Sequence, residues 1–158
     1  MSILNIEEIY NRHVKTVYRV CFTYMKSSAD AEDATADTFV RMIKSSPDFQ
    51  DAEHEKAWLI RTASNVCKDL LKHSWRKREN LDDHASYLKV EHSFEADDVA
   101  EAVFSLPDKY KAIIYLYYFE GYTSVEISEM LKKPQSTVRS RLQAAKKILK
   151  ERLGAHYE

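Results

Sequence analysis

In 158 residues the chain carries only two glycines, Gly121 and Gly154, and three prolines, Pro47, Pro107 and Pro134. Tight turns draw on glycine for positive φ and on proline for a fixed φ, so a sheet-rich fold with many hairpins cannot be written with so few of them. What remains is an all-α chain of long helices. The same scarcity excludes functions built on glycine: phosphate-cradling loops, dinucleotide fingerprints and nucleophile elbows all lack their residues here. An apolar share of 44% suits a folded core, and the length allows one ordinary domain or two small ones.

Apolar residues place the helices. Ile6, Ile9, Tyr10, Val14, Val17, Cys21 and Tyr24 recur at helical spacing and predict a helix to about Met25. Ser28 is the expected N-cap of a second helix that runs to about Lys44 and stops before Pro47. A third, from about Glu55 to Arg78, buries Leu59, Ala63, Val66 and Leu70. The period fades from Glu79 to Asp97 and resumes at Asp98 with Val99, Val103 and Leu106. Pro107 opens another helix, Gly121 ends it, and Thr123 with Glu126 forms a capping-box pattern ahead of a short helix to Leu131. The expected organisation is two small helical domains, residues 1–80 and 98–158, joined by a flexible acidic linker at 81–97, with a helix-turn-helix in the second.

Cys21 and Cys67 sit among apolar helical positions, as buried thiols in a reducing cytosol do. The histidines show no metal spacing, so neither metal nor cofactor is expected. A signal peptide and a membrane span are equally unexpected from the apolar runs present, which predicts a cytoplasmic protein with no membrane insertion.

A net charge of −1 conceals strong segregation. From Arg61 to Arg78 six Lys and Arg face one acid, and from Lys132 to Leu153 eight face one, while Glu91 to Glu101 holds five acids and no Lys or Arg. Two basic patches flanking an acidic stretch predict two contacts with a polyanion, and the near-zero total predicts weak binding by the chain alone.

On the last helix Val138, Leu142, Ala145, Leu149 and Leu153 fall on one side, and Ser136, Arg139, Ser140, Gln143, Lys147 and Lys150 on the other, with Lys146 on its margin. A short helix, a tight turn and a longer helix with polar and basic residues near its start is the helix-turn-helix layout. An ordinary solvated face fits this pattern equally well. The residue identities decide: Leu106-Pro107, Glu120-Gly121, Thr123, Glu126-Ile127-Ser128, Leu131 and Thr137-Val138-Arg139-Ser140-Arg141-Leu142 closely resemble the promoter-reading domain of bacterial RNA polymerase sigma factors. The resemblance implies that Arg139, Ser140 and Gln143, with Ser136 and Lys147 on the same face, meet the upstream (−35) element in the major groove, and that Lys111, Thr137 and Lys146 meet phosphates. Lys132, Ala144 and Tyr117 depart from it, standing where the family favours Gly, Arg and Arg.

The N-terminal half carries an unrelated set of matches. Asp30 to Met42 resembles the sigma-factor helix that docks on the clamp coiled coil of the polymerase largest subunit, which implies core binding through Asp33, Asp37, Thr38 and Arg41. An Asp37–Arg41 ion pair on a solvated face is the plain alternative, contributing only about 0.3–0.5 kcal/mol. Trp58-Leu59, Ala63, Asn65 and Asp69, with Phe49 ahead, match the helix that holds the melted −10 element. Arg61, Asn65, Lys68, Lys72 and Arg76 share one face there: cations can follow a backbone while an amide reads an extruded base. Asp69 completes the implied −10 set. For Trp58 a core role is favoured over stacking on bases.

With no middle domain between the two halves, the chain resembles the extracytoplasmic-function (ECF) class. That implies a promoter-specificity subunit, not an enzyme, whose partners are core polymerase (clamp coiled coil and flap region), promoter DNA and an anti-sigma protein. The rival readings are an autonomous helix-turn-helix regulator and a helical interaction protein that touches no DNA.

Overall fold

The computed structural model describes residues 3–77 and 98–154, and every regular element among them is helical. They fall in two compact units, Met1–Leu88 and Lys89–Glu158. The expected linker at 81–97 lies outside the described residues.

The first unit is a bundle of α1 (Ile3–Met25), α2 (Ser28–Ser45) and α3 (Ala52–Lys77). The helical stripes meet at its centre: Val17, Val20 and Cys21 of α1, Ala31, Ala34 and Met42 of α2, and Leu59, Ala63, Val66 and Cys67 of α3 are all but sealed from solvent. Small alanines on α2 let the other two helices approach, and each larger side chain buried there contributes about 1.5–3 kcal/mol. Ser27, rather than Ser28, is the N-cap of α2, its hydroxyl accepting from the Asp30 amide at 3.3 Å. Helix α3 starts at Ala52, three residues before the expected Glu55, because the Asp51 carboxylate accepts from the His54 amide at 2.8 Å and caps the first turn.

The two cysteines, distant in sequence, meet across α1 and α3. A hydrogen bond with Cys67 pulls the Cys21 thiol below its ordinary value against the opposing effect of burial, with help from Thr35 and Thr38. A second α1–α3 contact is polar: Glu55 accepts from Arg12 through both Nε and Nη2 at 3.1 Å, and lies 2.9 Å from His13 Nε2.

The second unit contains α4 (Asp98–Phe104), α5 (Asp108–Ile114), a π-helical turn (Tyr115–Phe119), α6 (Ser124–Leu131) and α7 (Gln135–Leu153). Val103, Leu106, Ile113, Leu116, Ile127, Val138, Leu142 and Leu149 form its core. Where the sequence predicts one helix to Gly121, α5 widens into the π turn after Ile114. The Tyr115 hydroxyl fastens that turn to Glu120 at 2.7 Å, and Gly121 reverses the chain at φ 77°. The capping box is complete: Thr123 Oγ1 accepts from the Glu126 amide at 3.2 Å, while Glu126 accepts from the Thr123 amide at 2.9 Å.

Helix α6 ends on Lys132 in the left-handed region, φ 56° and ψ 48°. A Cβ is unfavourable there, so Lys132→Gly is expected to stabilise the second unit by about 1 kcal/mol, less the entropy glycine returns to the unfolded chain. Thermal unfolding followed by circular dichroism checks this. A lower midpoint for the variant would show that the lysine side chain makes a compensating contact.

Candidate nucleic-acid interface

Pro134 caps α7 without needing an N–H, and the buried stripe Val138, Leu142, Ala145 and Leu149 turns the opposite face outward. Ser136, Arg139, Ser140, Gln143 and Lys147 are all exposed there, over three successive turns. Thr137 is half-buried at the edge. Lys146, also half-buried, is held rather than free: its ammonium donates to the Tyr117 hydroxyl at 3.1 Å and stands 4.4 Å from the centre of that ring. The tyrosine comes from the π turn, so an aromatic ring steadies a cation at the margin of the face.

Lys111 does not belong to this surface. It is 2% exposed within α5, its ammonium 3.6 Å from the Asp108 carboxylate one turn away. A lysine this deep cannot reach a phosphate without leaving the core.

On α3 the exposed residues Asn65, Asp69 and Lys72 and the half-buried Arg61 and Lys68 lie away from Leu59, Val66 and Cys67. Partial burial lowers the proton affinity of the Arg61 guanidinium without threatening its charge. Arg76 stands on the last turn of α3, its side chain outside the described residues. Trp58 is half-buried, edge-on to Phe49 at 5.9 Å between ring centres, and Phe49 in turn meets His54 at 5.3 Å. The indole therefore belongs to a small aromatic cluster at the start of α3 and not to the sealed core.

On α2 Asp33 and Asp37 are exposed, but Thr38 is sealed, its hydroxyl donating to the Ala34 carbonyl at 2.8 Å. It packs the bundle and is no part of the outer face. Arg41 does not pair with Asp37: its guanidinium reaches across to Asp69 of α3 at 3.4 Å. With about half of each side chain in water, the pair adds little stability, but it links the proposed polymerase face to the proposed DNA face. Sequence reasoning missed Val40 and Ile43, which are 44% and 48% exposed further along the same helix. The available signal was that neither falls on the buried stripe of α2.

The loop between α2 and α3 borders a cavity of about 500 Å³, walled by α1 residues on one side and by Ser46 to Phe49 on the other. No described helix is long and apolar enough to cross a membrane.

Comparison with known proteins gives two family-level matches. Residues 9–77 match sigma-70 region 2 and residues 96–149 match sigma-70 region 4. The ECF RNA polymerase sigma factor SigE of Mycolicibacterium smegmatis is 29% identical over 95% of this chain, which spans 62% of that protein. The RNA polymerase sigma factor SigV of Bacillus subtilis is also 29% identical, over 89% of this chain and 86% of its own length. Among solved structures, the sigma factor RpoE of Bartonella quintana, crystallised with the anti-sigma factor NepR, superposes with a TM-score of 0.74 at 16% identity, covering 98% of this chain and all of that one.

Proposed function

The chain belongs to the sigma-70 family, in its ECF class of promoter-specificity subunits of bacterial RNA polymerase, and from that premise we propose which surfaces do the work. The protein is not an enzyme; nucleotide addition is the polymerase's. The exposed face of α7, centred on Arg139, Ser140 and Gln143, reads the duplex upstream element, with Ser136, Thr137, Lys146 and Lys147 on phosphates. The α3 face, with Asn65 among Arg61, Lys68 and Lys72, holds the melted strand, and Arg76 continues it. Asp33 and Asp37 on α2 dock on core polymerase, and the exposed apolar pair Val40 and Ile43 further along that helix suits an interface that excludes water. The domains implied are 1–80 and 98–158, with residues 81–97 as linker. The observation that supports this most is that each unit turns one polar, basic helix face to solvent while burying the opposite face of the same helix.

Such work takes place in the cytoplasm, where the polymerase is. The Bartonella quintana factor was crystallised with an anti-sigma factor, which favours an inhibitory partner of that kind for this chain too. Melting is binding chemistry: captured bases must offset a few kcal/mol of unstacking per step, roughly what one good base contact supplies.

The test is transcription by purified core polymerase, with and without the protein, on genomic promoter fragments. New defined starts are expected only with the protein present. Asn65→Ala is expected to reduce their use by roughly tenfold at unchanged affinity for core. Starts that persist undiminished in that variant would remove the α3 face from this assignment.

A further inference from the structure

We propose that Tyr117 is a positioning residue for DNA binding: it holds the Lys146 ammonium ready for a backbone phosphate at the end of the α7 face, without cancelling its charge. This rests on the assignment of that face to the duplex upstream element.

The contact is double. Lys146 Nζ donates to the Tyr117 hydroxyl at 3.1 Å and stands 4.4 Å from the centre of the ring. Both residues are half-buried. The tyrosine is itself braced: its ring meets that of Tyr118 edge-on at 5.4 Å between centres, and the turn that carries it is fastened by the Tyr115 hydroxyl to Glu120. Among the described residues no carboxylate pairs with Lys146, and the tyrosine is its one partner.

That choice of partner has a consequence for a polyanion. A carboxylate would hold the lysine but cancel its charge, as Asp69 does for Arg41. A phenol and its ring are neutral, so the whole positive charge stays available to a phosphate. The hydroxyl takes one of the three ammonium protons and leaves two to donate. A lysine stem is otherwise long and mobile, and ordering such a side chain at the moment of binding weakens a complex. Here the ordering is completed when the domain folds.

The place of Lys146 on α7 gives the held charge its target. It follows Arg139 by seven residues, about 20° from it around the helix and about 10 Å along it. The major groove is about 12 Å wide, so a side chain that far from a base contact stands at a wall of the groove, among phosphates.

The experiment titrates holoenzyme, reconstituted with core polymerase, on a fluorescent promoter fragment over a range of salt. Lys146→Ala is expected to reduce the salt dependence by about one counterion. Tyr117→Phe, which keeps the ring, and Tyr117→Leu, which removes it, are expected to weaken binding by about threefold to tenfold, the leucine more. Their salt dependence should stay that of the native protein, because the charge is still present and only its ordering is lost. In the Lys146→Ala background neither tyrosine variant should weaken binding further. Should Tyr117→Leu fail to fold, Tyr117→Phe carries the comparison alone. A residue that only supports the fold, or that touches DNA by itself, would weaken binding as much in that background as in the native one, and that result would overturn the proposal. Native affinity in both tyrosine variants, or in Lys146→Ala, overturns it as well. Arg139→Ala separates these failures from that of the premise. If it too binds every single-base promoter variant as the native protein does, α7 does not read the duplex and the proposal falls with that assignment.

Discussion

Arg139→Ala is expected to lower use of this protein's promoters by roughly tenfold, within the 1–3 kcal/mol that a bidentate arginine–guanine contact supplies. Arg139 is exposed in the second turn of α7, where Val138 and Leu142 behind it hold the helix against the core. Its fork is therefore carried on a rigid element, the condition under which base discrimination is sharp. The loss should be confined to one base position: templates altered there should be used equally by the variant and the native protein. Lys147→Ala provides the contrast. As a phosphate contact it should weaken all templates alike and reduce the dependence on salt by about one counterion. Run-off transcription across a set of single-base promoter variants and salt concentrations separates the two. An Arg139→Ala effect uniform over all sequences would make this arginine a backbone contact.

Leu149→Ala is expected to unfold the second unit and spare the first. Leu149 is fully buried, and truncating such a leucine costs about 2–5 kcal/mol. A domain this small has total stability of about the same size. Both tryptophans, Trp58 and Trp75, lie in the first unit, so their fluorescence reports that unit alone while circular dichroism reports both. The expected result is a large loss of helix signal at low temperature with an unshifted fluorescence transition. If both signals shift together, the two units unfold as one and the division of the chain into independent folding blocks is wrong.

The features legible in the sequence were those that local spacing determines. The stripes of α1, α3 and α7 (with Tyr10 exposed and Leu70 only half-buried), the Thr123–Glu126 box and the reversal at Gly121 each depend on residues within a few positions of one another. What escaped depends on partners from elsewhere or on geometry within a turn. Lys111 reads as a surface cation until the fold is seen to bury it, with Asp108 one turn away. Thr38 reads as a polar contact because its sequence does not reveal that the Ala34 carbonyl already satisfies its hydroxyl. Arg41 had an acid at helical spacing in Asp37, yet its partner is Asp69, 28 residues away. The π turn was invisible because its tyrosines suit an α-helix as well, and with it the contact of Tyr117 with Lys146. For the same reason the Arg12–Glu55–His13 cluster could not be read, since its members are 42 and 43 residues apart.

The buried thiols give the protein a chemical record of its own folding. Cys21 and Cys67 are the chain's only cysteines, both lie in the first unit, and neither exposes any surface. An electrophile can alkylate them only during an opening of the bundle, so at high reagent concentration the labelling rate becomes the opening rate itself. In a cell under electrophile stress, newly made and unfolded chains would be tagged while assembled ones escape. The adduct would then mark a molecule's history and, having no room in the packed bundle, would keep the tagged chain from refolding.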